Sequence, residues 1–110
     1  MYDLIQEIQN KTNQLDTSVK TLRITGSEYA EAYMNYRIKL AEELIRLRDE
    51  GMPVTIAYDI ARGKPEIARL KYNEICKEAI YRANQEAINS TKLQIKIMDN
   101  QIQREWSVNE

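Results

Sequence analysis

Glu28 and Glu31, in "GSEYAEAY", stand one helical turn apart, and a carboxylate pair on one helix face can supply half of a four-carboxylate Mg²⁺ site. The other half, a following E-x-x-D, is missing. Asp49 is preceded three residues earlier by Arg46, and Asp59 by Ile56. The chain has no histidine, which removes the commonest general base and the commonest metal ligand together. Without histidine no Cys–His or Ser–His nucleophile can form, and with one cysteine, Cys76, no intrachain disulfide can. Gly63-Lys64-Pro65 lacks the first glycine and the hydroxyl of a phosphate-cradling loop. The residues therefore point away from enzymatic activity, with no cofactor and no metal expected. Glu28 reads as a helix cap, Glu31 as solvated, and Glu42, Glu43, Glu74, Glu78 and Glu86 as exposed helix faces. Cys76 reads as a small core or boundary residue.

Binding chemistry is better represented. Arg62, Lys64, Arg69, Lys71, Lys77 and Arg82 gather in less than a quarter of the chain, interleaved with Tyr58, Tyr72 and Tyr81 and diluted by Glu66, Glu74 and Glu78. Arg and Tyr together suit a protein interface, and they also suit phosphate contact with base stacking. The formal net charge of −1 argues against bulk electrostatic capture of nucleic acid. Residues 1–55 carry seven bases and nine acids, and residues 56–110 nine bases and eight acids, so neither half is a basic domain. The stretch "GMPVTIAYDIARGKPEIARLKY", residues 51–72, looks at first like a helix-turn-helix. A recognition helix ends within a few turns in a compact globule, whereas here the second helix continues for some 40 residues.

The elements that must position these residues are helical. Three Gly, two Pro, 43% apolar and 30% charged residues describe one mostly helical domain. Helices are predicted at about 2–23, 26–50, 55–62 and 65–106. Leu4, Ile8, Leu15, Val19 and Leu22 make a narrow stripe on the first, and Tyr29, Tyr33, Tyr36, Leu40, Leu44 and Leu47 a stripe on the second. Between them Thr25 and Glu28 spell a capping box, with Gly26 free to turn or kink the chain. Gly51 and Pro53 end the second helix. Thr55 is expected to cap the short helix and Gly63 to terminate it, with Ile56, Ile60 and Tyr58 plugging the bundle end. Pro65 opens the last helix, about 60 Å long at 1.5 Å per residue, whose apolar pattern runs through Ile67, Leu70, Ile75, Ala79, Ala83, Ala87, Ile88, Ile95, Met98, Ile102 and Trp106. The expected fold is all-α and coiled-coil-like: an elongated antiparallel hairpin, or a three-helix bundle folded back at Gly26, with a long C-terminal helix. Apolar edges left over in either form lead us to expect a homodimer or higher oligomer.

The N-terminal "MYDLIQEIQNK" has acids where a signal peptide needs bases, and no apolar run is long enough for a membrane span. A cytoplasmic, non-membrane protein is expected. The segments "GSEYAEAYMNYRIKL", "RDEGMPVTIAYDIARGKPEIARLKY" and "QEAINSTKLQIKIMDNQIQREW" resemble a family of small helical proteins from phages and prophages of Gram-positive bacteria. The "RDEGMPVT" turn, the "IARG" with its charged continuation and the ending Gln101 to Trp106 carry that likeness. It implies a setting among early phage genes, in the host cytoplasm, and brings no functional residues with it. The sequence thus leads to a non-enzymatic accessory protein that binds a protein, of host defence or DNA processing, through Tyr58, Arg62, Lys64, Arg69, Tyr72 and Arg82. The alternative is direct nucleic-acid binding by the basic turn around residues 58–82.

Overall fold

The computed structural model describes residues 2–109, and these form three helices: α1 (Tyr2–Asp49), α2 (Val54–Gly63) and α3 (Pro65–Asn109). The fold is all-α. The expected break at Thr25-Gly26 does not occur, because α1 runs unbroken through both residues. Thr25 and Glu28 therefore form no cap, and the fold-back into a three-helix bundle has no turn to use. Gly26 has a different reason for being small. A Cβ there would lie 3.1 Å from Cε2 of Tyr81, so the ring would have to give by a few tenths of an ångström to admit one.

The chain divides into two compact units, Thr25–Tyr81 and Met1–Ile24 with Arg82–Glu110. In the first, the turn unit, α1 and α3 run antiparallel: Glu28 meets Lys77 at 3.2 Å, while Lys39 meets Glu66 at 3.9 Å. The core gathers Tyr36, Leu40 and Leu47 of α1, Ala57 and Ala61 of α2, and Ile67 of α3, with Leu44, Met52 and Leu70 packed against it. In the second, the terminal unit, Leu4, Ile8, Lys11, Leu15, Ser18 and Leu22 are the half-buried positions of α1. They recur at alternating intervals of four and three, the 3.5-residue period of coiled-coil packing. On α3 the same spacing picks out Asn84, Ile88, Thr91, Ile95, Met98, Ile102 and Glu105. Asn84 donates its side-chain N–H to the Ser18 carbonyl at 3.3 Å across that seam.

Several faces differ from the sequence expectation. Glu74 and Lys77 take seam positions of α3, with Glu74 buried, while Ile75 and Ala79 face outward. Trp106 is exposed, and Glu105 beside it is the half-buried residue. Tyr33 sits at the edge of its stripe, nearly half exposed.

The helix ends are built locally. Gly51 has φ +91°, the Gly51 N–H donates to the Arg48 carbonyl at 2.9 Å and the Met52 N–H to the Leu47 carbonyl at 3.2 Å. This is a Schellman ending, with Met52 folded back onto the core beside Leu47. Pro53, not Thr55, is the N-cap of α2, and no side chain caps it. Gly63 lies inside α2, and what ends that helix is Pro65, which holds Lys64 extended (φ −64°, ψ 130°).

Because the left-handed conformation disfavours any Cβ, Gly51→Ala should destabilise the fold by about 1 kcal/mol, while Gly63→Ala should not destabilise it; urea unfolding followed by circular dichroism separates the two. Gly26→Ala should stabilise a Tyr81→Ala background by about 1 kcal/mol through helix propensity. With Tyr81 in place the gain should shrink measurably, and a double-mutant cycle reads the difference.

Candidate partner-binding surface

α2 rests on its two alanines. Ala57 and Ala61, one turn apart, have 0% exposure, so the α2 backbone lies as close to Tyr36, Leu40 and Ile67 as a Cβ permits. A ten-residue helix seated on so narrow a face must present its larger side chains elsewhere. Ile56 and Ile60 are 53% and 47% exposed, so they do not plug the end of the fold as expected. Tyr58 is also exposed, and the Arg62 guanidinium carbon lies 5.2 Å from its ring centroid. The i,i+4 spacing puts the cation over the ring, which pre-orders a long side chain in solvent.

Lys64 is placed differently. It sits in the single-residue link between α2 and α3, and its ammonium lies 3.0 Å from Glu43 of α1. Glu43 is no solvated face residue: its side chain is only 10% exposed and also accepts two hydrogen bonds from Arg46. The Arg46 guanidinium, and then Lys64, hold its carboxyl down at about 2, against an ordinary 4.5. Arg46 in turn reaches Glu50 at 2.7 Å. Lys39 pairs with Glu42, at 3.5 Å, and with Glu66.

Arg69 and Tyr72, one turn apart on α3, are exposed, Tyr72 to 71%. Cys76, one further turn on, is half-buried, and its thiol is the main cause that pushes the Tyr72 phenol up. Lys71 turns the other way. Its ammonium lies 4.9 Å from the Tyr36 ring centroid and 2.8 Å from the buried Glu74 carboxylate, which raises its pKa. Lys77 is held by Glu28, the residue expected to cap a helix. Arg82 belongs to the terminal unit, so the turn unit supplies five of the six predicted contact residues and Lys64 among them is already bound.

The structure thus offers one stacked Arg–Tyr pair, Arg62–Tyr58 on α2, an exposed Arg69 and Tyr72 one turn apart on α3, and an apolar edge at Ile56 and Ile60. Sequence reading missed Ile56 and Ile60 as surface; the Ala57/Ala61 pair was the available signal, since small residues at i,i+4 mark the face of closest approach. Among the described residues no group of three Cys, Asp or Glu side chains is placed to hold a metal ion, and no helix is long and apolar enough to cross a membrane. Comparison with protein-family models, with curated proteins and with solved structures finds no match to this chain.

The depressed carboxyl of Glu43 makes the link between α2 and α3 acid-sensitive in a defined window. A carboxylate held below its unfolded value contributes stability above about pH 4.5 and loses it as pH falls towards 2. Glu43→Gln should therefore unfold more easily than the parent at neutral pH, with the gap between them closing from pH 4.5 down to 2. Thermal melts across that range check it.

Proposed function

We propose that this chain is a non-enzymatic protein-binding module whose turn unit, and α2 above all, contacts the partner. One observation carries the reading: α2 spends two alanines on its own core and leaves Ile56, Tyr58, Ile60 and Arg62 outward on a helix anchored at both ends. Aromatic and arginine side chains beside an apolar edge are the residue types that dominate binding energy at protein interfaces. Arg62 arrives already stacked, so less side-chain freedom is lost on docking. The resemblance to small phage and prophage proteins of Gram-positive bacteria supports a setting in the infected host's cytoplasm, with a component of host defence or DNA processing as the target.

Direct nucleic-acid binding is the alternative, favoured by the exposed Arg69 and Tyr72. Against it, Lys64, Lys71 and Lys77 each already sit beside a glutamate, which leaves the turn far less basic than its composition. Phosphate capture depends on positive charge that can displace counterions.

The two readings part in one paired experiment. Affinity capture from phage-infected Gram-positive cells should retain a protein on the parent chain and lose it on Tyr58→Ala/Arg62→Ala. Two interface anchors of this type cost about 2 kcal/mol or more, roughly 30-fold in affinity. Single- and double-stranded DNA should show no mobility shift at 50 mM salt. A salt-sensitive shift abolished by Arg69→Ala would transfer the function to nucleic acid.

A further inference from the structure

A second surface of the turn unit is organised in a way that protein binding by α2 does not use. On the side of α1 turned away from the core, Met34, Ile38, Ala41 and Ile45 are all exposed, at 51%, 49% and 63% for the three larger ones. Their intervals of four, three and four make one continuous stripe, displaced from the buried stripe of Tyr36, Leu40 and Leu47. Continued by the same intervals, the stripe meets a carboxylate at one end, Glu31, and a guanidinium at the other, Arg48. Both are exposed; Arg48 gives one N–H to the Met52 carbonyl at 3.0 Å and keeps its other donors.

We propose that this outer stripe of α1 is a homodimer interface, in which Glu31-Met34-Ile38-Ala41-Ile45-Arg48 packs antiparallel against the same stripe of a second copy about a two-fold axis between Ile38 and Ala41. In an antiparallel helix pair with this spacing each first-type seam position faces a second-type position of the other helix. Ile38 then meets Ala41 of the second copy, a large side chain against a small one. Met34 meets Ile45, and the outermost layers place Glu31 opposite Arg48. Each layer occurs twice by symmetry, so two opposite-charge contacts close the two ends of a stripe about 27 Å long. Beside the seam, Glu42 comes next to the neutral Asn35; Asp49 comes next to Glu28 at the ends, where Glu28 already has Lys77 at 3.2 Å. A parallel pairing would instead set Glu31 on Glu31 and Arg48 on Arg48 and leave Ala41 facing Ala41 over a void. The corresponding outer stripe of α3, around Tyr72 and Ile75, has no opposite charges at matching ends. Charge and side-chain size together therefore select a second copy of this chain, in one orientation, as the occupant of the α1 stripe.

Sedimentation equilibrium of the full chain across 1–200 μM is the test, with circular dichroism to confirm that each variant stays helical. The parent should dimerise. Ile38→Glu, which buries a carboxylate in the seam, should weaken self-association by about 100-fold or more. Glu31→Arg and Arg48→Glu lie on the surface and should each weaken it about tenfold by setting like charges opposite one another. Mixing those two variants should restore dimers, because every end layer of the mixed pair is again Arg against Glu. A chain that stays monomeric throughout, or a dimer untouched by Ile38→Glu, would overturn the interface. Failure of the mixed variants to pair better than either alone would overturn the antiparallel arrangement. The binding proposed for α2 does not enter any of these readouts.

Discussion

The contact on which the turn unit depends is the seating of Ala57 and Ala61 against Tyr36, Leu40, Leu47 and Ile67. A ten-residue helix has no stability of its own in water, so α2 exists because packing and its two anchored ends hold it. With alanine at both contact points the helix backbones come together without side chains between them, and neither residue retains any exposed surface. That closeness dictates the remainder of α2. Every larger residue is displaced from the buried face, which is why Ile56, Tyr58, Ile60 and Arg62 all stand at the surface. The same close contact brings Lys64 within reach of Glu43, so the ion cluster of Glu43, Arg46 and Lys64 follows from how deep the helix sits.

Within each unit the limiting factor is the narrowness of the seam between α1 and α3. Two helices can hide one stripe each, and here that stripe alternates large apolar residues with polar or small ones. On α1, Ile8, Leu15 and Leu22 share a seven-residue repeat, while Lys11 and Ser18 occupy the other repeat. Polar residues at such positions sacrifice stability and gain register, because a shifted pairing would leave their hydrogen-bonding groups unmatched. The Asn84–Ser18 bond in the terminal unit does this, and so do Glu28–Lys77 and the fit of Tyr81 over Gly26 in the turn unit. The Tyr81 ring also packs against Tyr29, one turn along α1 from Gly26, with ring centroids 6.0 Å apart. The apolar residues left over, Met34, Ile38 and Ile45 among them, have no intrachain face to go to.

What the sequence made legible was whatever is decided locally. The end of α1 at Gly51, and Pro65 at the first turn of α3, follow from the backbone demands of glycine and proline, and both are where those residues predict. Gly26 misled because its local context, T-x-x-E around a glycine, is that of a helix start. The deciding fact is a ring contributed from 55 residues away. The seam of α3 misled for a related reason. A search for apolar periodicity passes over Glu74, Lys77, Asn84 and Thr91 and substitutes Ile75, Ala79 and Ala83, which lie on the far side. Of the candidate site, Arg62 with Tyr58 and Arg69 with Tyr72 are helical neighbours and could be read from spacing. That Lys64 is consumed by Glu43, and that Arg82 falls in the other unit, are tertiary facts with no local trace.

The electrostatic consequence bears on recognition. Composition makes the turn region look basic, but its lysines are matched one by one by glutamates: Glu43 for Lys64, Glu74 for Lys71 and Glu28 for Lys77. Two of those three glutamates have side chains at least 90% buried, and removing the partner of a buried charge leaves that charge uncompensated. Lys64 and Lys71 are thus held to structural work, since moving either to a ligand phosphate would strand a negative charge in the protein. Under the proposed function, recognition at this end rests on groups not so committed, and Arg62 and Arg69 with their neighbouring tyrosines fit that description. An arginine stacked on a ring beside exposed isoleucine discriminates by shape and by planar hydrogen bonding more than by long-range charge. Under the proposed function, a surface of that kind suits a folded partner with a complementary apolar contour and a carboxylate to receive the guanidinium.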